Sequence, residues 1–164
     1  MGLNISHGTW SGPYSTFMRW RKNIASIAGF PPLEIMEGFW PSIANEEQFL
    51  PITGDWAQDI LIRQYFRAGK IPILWDELGD HVGDKRLIPL LRHSDCDGEL
   101  TPKLCTSIAD GLEALLPLMG TFKEVHTTSP TSGRADYAGT KAATLRFITG
   151  LRLAASKNEL LKFR

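Results

Sequence analysis

Leu3-Asn4-Ile5-Ser6-His7-Gly8-Thr9-Trp10-Ser11-Gly12-Pro13-Tyr14 decides the fold class. Leu3 to His7 alternate apolar and polar side chains, the period of a strand with one wet face. Gly8 and the pair Ser11-Gly12 break that pattern. Pro13, whose ring presets a helical φ, opens a helix at its first position, with Ser11 or Gly12 as cap. Phe17, Trp20, Ile24 and Ile27 then recur at steps of three and four, so the helix is expected to run to about Ala28 and stop at Gly29. Arg19, Arg21 and Lys22 read as a basic patch on it, a solvated face or an anion contact.

Working outward, Leu160-Leu161-Lys162-Phe163 is expected as a terminal strand that pairs with the N-terminal one and ties both ends down. Helices fill most of the interval. Pro41 starts a short one through Leu50, and Asp55 caps another from Trp56 to Ala68, ended by Gly69. Thr101 and Pro102 begin the clearest, with Leu104, Ile108, Leu112, Leu115 and Met119 on one face and Pro117 and Gly120 at its end. A long helix spans about 135–156, with Leu145, Ile148, Leu151 and Ala155 on one arc. Residues 71–75 look extended, an edge strand or a loop because of Pro72. Residues 86–92 fit a short helix or a strand, and residues 93–100 read as a polar loop. The Thr-, Ser- and Gly-rich stretch at 121–134 is expected to be a flexible loop. The expected fold is one α+β domain over residues 1–164, mostly helical, with a small sheet formed by the termini and residues 71–75 as a candidate addition.

The chain has 164 residues, with 18 lysines and arginines against 18 aspartates and glutamates. A net charge of zero disfavours a non-specific nucleic-acid binder, which needs a basic excess. No apolar run reaches membrane-spanning length, and the first residues lack a secretory pattern, so a cytoplasmic location is expected. Met1-Gly2 followed by Ser6 fits the bare myristoylation pattern, without a polybasic partner. Cys96 and Cys105 make no disulfide framework and are expected as reduced thiols.

Two places can carry chemistry. Ser6 to Tyr14 places a histidine at a strand end, then small residues, then a helix N-terminus, whose free N–H groups favour anions. Gly8 and Gly12 open the backbone to a ligand, and Trp10 and Tyr14 can stack on a ring. His7, Ser11, Gly12 and Tyr14 would form one wall of a site for a small polar or anionic ligand, nucleotide-like in the sharpest version. An ordinary strand–turn–helix junction is the plainer reading of the same residues.

The second is His93-Ser94-Asp95-Cys96-Asp97-Gly98-Glu99. His93 and Asp95 would form the other wall, and Asp95, Asp97 and Glu99 are candidate ligands for a divalent cation. The twelve-residue calcium loop does not fit, because Leu100 stands where it needs Gly and Thr106 where it needs Glu. A tight turn leading into a helix is the plainer reading here. Cys96 beside two acids is a poor nucleophile, since they raise its pKa.

Three blocks resemble a family of small bacteriophage and bacterial proteins with which no activity is associated. They are S-H-G-x-W-S-G-x-Y at Ser6 to Tyr14, H-S-D-C-D-G-E at His93 to Glu99, and a closing block of Gly150 and Ala154 followed by Leu161 and Phe163. The resemblance implies a phage setting, in which sequestering a host signal or blocking a host defence protein is a natural role. It implies no mechanism. The leading expectation is a binding protein without an assigned reaction. One rival is a divalent-metal hydrolase using the His93–Glu99 loop. The other is an interaction protein that docks through its aromatic stretch from Phe39-Trp40 to Trp56.

Overall fold

The computed structural model describes residues 2–39, 56–94, 97–120 and 137–164. The expected helix at 41–50, the Asp55 cap, most of the aromatic stretch, Asp95, Cys96 and the loop at 121–134 lie outside the described residues. Within them the fold is α+β, mainly helical, with one four-stranded antiparallel sheet.

The sheet grows from a tight hairpin. Strand β1 (Gly2–Ile5) and strand β2 (Trp10–Pro13) pair with Ile5 opposite Trp10 and Leu3 opposite Gly12. His7 and Gly8 form the turn, with φ of 61° and 69°. Positive φ at both central residues is the geometry that matches strand twist in a two-residue hairpin. The Thr9 N–H (3.3 Å) and hydroxyl (2.6 Å) both donate to the Ser6 carbonyl and close it.

The C-terminal strand lies against the other side of β1. In β4 (Leu161–Phe163), Phe163 stands opposite Ile5, and Asn4 and Arg164 exchange both backbone bonds at 2.8 and 2.9 Å. Strand β3 (Gly98–Leu100) completes the order β2-β1-β4-β3. The expected pairing of the termini is therefore present, but the sheet is wider than expected. Ser11-Gly12-Pro13 is strand rather than a break, and Gly98 to Leu100 is strand rather than loop. Residues 71–75 do not join the sheet; they contribute one isolated parallel bridge from Ile73 to Met36 before a 3-10 turn at Trp75–Glu77.

Helix α1 (Tyr14–Ile27) follows β2 directly. Pro13, not Ser11 or Gly12, is its cap residue, and no side chain accepts from its first turn, because Ser11 and Gly12 are held in the ladder. Helix α2 (Trp56–Arg67) and the short α3 (Ile88–Leu91) lead to β3. In α4 (Pro102–Met119) the Thr101 hydroxyl accepts from the Leu104 N–H at 3.3 Å, the expected cap, while Pro117 lies inside the last turn instead of ending it. Helix α5 (Tyr137–Ser156) buries Thr144, Phe147, Ile148, Leu151 and Ala154; Leu145, placed on the core arc by spacing, is 47 % exposed.

The core lies between the inner sheet face and the helices. Leu3, Ile5, Trp10, Leu100, Leu161 and Phe163 point inward, and Phe17, Trp20 and Phe147 meet them. Ring centroids of Trp10, Phe17, Trp20 and Phe147 lie 4.6 to 6.2 Å apart, close enough to add stacking energy to burial. Asn4, Ser11, Lys162 and Glu99 point away and are exposed, the alternation of a sheet covered on one side.

Arg21 corrects the basic patch. It lies on the buried stripe of α1 and is 1 % exposed, whereas Arg19 and Lys22 are on the surface. Its Nη1 donates to the carbonyls of His93 (2.6 Å) and Leu91 (3.3 Å). Its guanidinium also lies over the rings of Phe17 (5.0 Å) and Phe39 (5.4 Å). Burial pushes its pKa down to about 10, so it stays charged at neutral pH.

Candidate functional site

The strongest candidate is a cleft where β2, α1 and α5 meet, of about 160 Å³. Trp10 forms its floor from the sheet. Thr16, Arg19, Trp20 and Asn23 come from successive turns of α1, and Gly139, Thr140 and Ala143 from the start of α5. The first turns of both helices therefore border it. A helix N-terminus carries partial positive charge and free N–H groups. Neither first turn holds an acidic residue, and α1 has no side-chain cap to quench its end.

Two indoles line the cleft and differ in one respect. The Trp20 Nε1–H donates to the Thr144 hydroxyl at 3.0 Å. The Trp10 Nε1–H is buried and has no acceptor among the described residues, although Trp10 is only 8 % exposed. A buried donor without a partner costs about 1–3 kcal/mol and is rare enough to require a reason. Gly12 lies beside it, and a Cβ there would stand 3.7 Å from the indole nitrogen. Asn23 donates to the Thr140 hydroxyl at 3.0 Å, which fixes its amide at the rim. Arg19 makes no ion pair among the described residues. Among the described residues the lining thus holds donors and one cation and no carboxylate.

The residues singled out from sequence are distributed around this cleft and the sheet. Gly12 borders the indole, and Tyr14 is the first residue of α1, half-buried against the core. Ser11 is exposed on the outer face of β2. His7 is at the hairpin tip, where its Nε2–H donates to Glu159 at 2.7 Å. His93 packs inward, its ring stacked 3.9 Å from that of Phe163 and its Nδ1–H donating to the Ser94 carbonyl. Gly98, with φ of 112°, leaves it that space, since a Cβ there would lie 2.9 Å from the imidazole. Asp97 and Glu99 are exposed beside β4, with Glu99 opposite Lys162. Asp95 lies outside the described residues. Among the described residues no three His, Cys, Asp or Glu gather as a metal site. The two sequence blocks thus flank β4 from opposite sides: Ser6 bonds to Lys162, and Lys162 pairs with Glu99. At strand spacing this sets their backbones about 10 Å apart.

Trp10, Arg19, Asn23 and Thr140 as one constellation were missed. The sequence offers Trp10 only as a ring to stack on, and Arg19 within a basic patch that is a solvated face or an anion contact.

The His7 contact sets an acid limit on this corner. Its hydrogen bond to Glu159 holds that carboxyl below the usual glutamate range, helped by the charge of Lys157. A lowered folded-state pKa contributes stability above the unfolded value, lost as pH falls through the folded one. Glu159→Gln is therefore expected to shrink the loss of stability on acidification in that window, read by thermal melts at stepped pH. An unchanged acid limb would contradict this.

Among the described residues no helix is long and apolar enough to cross a membrane. The chain matches no protein-family model, no curated protein and no solved structure.

Proposed function

We propose that the protein binds a small anionic ligand in the cleft between α1, α5 and β2. The observation that carries this reading is the buried Trp10 indole N–H, which has no acceptor among the described residues and lies on a cleft whose one charged lining residue among them is Arg19. A carboxylate or phosphate oxygen supplies the missing acceptor, and the positive ends of two helices favour its charge. The volume suits a head group of that size rather than a whole nucleotide, since drug-sized pockets run about 300–1,000 Å³. The resemblance to phage and bacterial proteins supplies a setting in which sequestering a small anionic signal is useful. A binding protein is the leading reading because the cleft offers recognition without a nucleophile–base pair.

Calorimetric titration with phosphate, acetate and a simple phosphate monoester tests this. At least one is expected to bind and to raise the melting temperature by mass action. Arg19→Gln removes an exposed charge without touching the core. Trp10→Phe keeps an aromatic ring and removes the N–H. Each is expected to weaken binding roughly tenfold, as loss of one charge-assisted or buried hydrogen bond should. Absence of binding by all three anions at millimolar concentration would refute the reading.

A further inference from the structure

Ser6, His7 and Glu159 lie outside the cleft and form a chain of hydrogen bonds. Ser6 Oγ stands 2.9 Å from His7 Nδ1, and His7 Nε2 stands 2.7 Å from Glu159 Oε2. The protons in this chain are ordered by chemistry. A carboxylate only accepts, so Nε2 carries a proton. In the neutral imidazole Nδ1 must then accept, and the Ser6 hydroxyl is the donor that faces it. Ser6 Oγ also receives the Lys162 N–H at 2.9 Å, which favours negative charge developing on that oxygen.

The backbone is bent to make this arrangement. His7 is one of two non-glycine residues with positive φ among the described residues. The hairpin itself calls for positive φ at this position, and the turn so formed carries the imidazole between Ser6 and Glu159. The His7 side chain is 11 % exposed, while Glu159 is 56 % exposed and holds the ring from the turn after α5. Carboxylate, imidazole and hydroxyl in sequence is the order that activates a serine.

We propose that Ser6 is a nucleophile that takes an acyl group from an ester, with His7 as general base and Glu159 as the group that orients the ring. Ser6 Oγ attacks the carbonyl carbon, and its proton passes to His7 Nδ1. The bond to the leaving alcohol breaks, and His7 returns that proton to the alcohol oxygen. Water then attacks the acyl-serine, gives a proton to His7, and releases the carboxylic acid as Ser6 Oγ regains its proton. Ser6 is half-buried and Gly8 at the tip is exposed, so the substrate is a small acyl group. This inference does not depend on the anion cleft.

A fluorophosphonate probe tests it on the full chain, with the labelled peptide mapped by mass spectrometry. Oγ displaces fluoride from phosphorus and stays bonded to it. Ser6 is expected to carry the label. His7→Asn keeps a residue that tolerates positive φ and so preserves the turn. With a circular dichroism spectrum matching the parent, it is expected to slow labelling roughly a hundredfold, the scale of a lost general base. Glu159→Gln should slow it less, since it keeps the base and loosens only its orientation. A parent chain that leaves Ser6 unlabelled, or equal rates in parent and His7→Asn, would overturn the proposal and make the chain of bonds a staple for the hairpin.

Discussion

Arg21→Ala is expected to lower stability by about 3–5 kcal/mol, on the scale of large core truncations with polar groups left behind. For a chain of this size that is a fall in Tm of roughly 10 °C or more. Two causes add. Arg21 heads the fully buried side chains by volume, so truncation opens a cavity between α1 and the segment after α3. It also strips the carbonyls of Leu91 and His93 of their donor inside the protein. Arg21→Met separates these causes. It keeps much of the volume and loses the donors, so it should cost about 1–3 kcal/mol, the price of the carbonyls alone. Local effects should appear at residues 92–98, where amide exchange would speed up before the rest of the chain responds. A melting temperature within a degree or two of the parent for Arg21→Ala would show that the guanidinium holds nothing together.

Gly150→Ala is the second large effect. A Cβ at this position of α5 would stand 2.8 Å from Thr9 Cβ and 2.9 Å from Thr9 Cα, and closer still to the Thr9 hydroxyl. Thr9 is fully buried at the foot of the hairpin, and its backbone cannot swing aside as a flexible side chain could. In an isolated helix the same change stabilises by about 1 kcal/mol, because alanine is the better helix former. Here overpacking reverses the sign, and a loss of about 1–3 kcal/mol is expected. Denaturant unfolding measures it, and a gain in stability would show that hairpin and helix separate more easily than the geometry allows. Gly83→Ala is a useful comparison, because there a Cβ meets the Phe30 ring and φ is 67° as well.

The long helices are legible because each shows its period, whereas the four residues of α3 do not. Phe17, Trp20, Ile24 and Ile27 give four positions of the period in α1 and Leu104 to Met119 gives five in α4, so the pattern outweighs any single odd residue. The strands have three or four residues each, which is one or two alternations. In β2 the sequence Ser11-Gly12-Pro13 carries turn residues throughout, and only pairing with Leu3 and Gly2 makes it a strand. Arg21 joins the basic patch by residue type, but its position puts it in the core. It sits four residues after Phe17 and three before Ile24, on the stripe itself, and that spacing was the available signal. Glycine and alanine at 150 and 154 were noted without a reason; Gly150 admits Thr9, and Ala154 is wholly buried. The cleft had no local signature. Its parts come from residues 10, 16–23 and 139–143, and an unpartnered N–H is visible only when the whole surroundings are in place.

The two central strands of the sheet are the two that lie farthest apart in sequence, β1 and β4. Chain order therefore imposes an assembly order. The β1–β2 hairpin needs only a two-residue closure and can form within microseconds. Its partner β4 must wait until Leu161 to Phe163 have left the ribosome. Until then Leu3 and Ile5 present an open apolar edge, the kind that pairs with other chains. Joining β1 to β4 encloses residues 6–160 in one loop, so among the strand pairings this step carries the largest closure entropy. A nascent chain halted before Leu161 should hold helical segments and a hairpin yet lack a cooperative melt, and should recover one only when Phe163 is released.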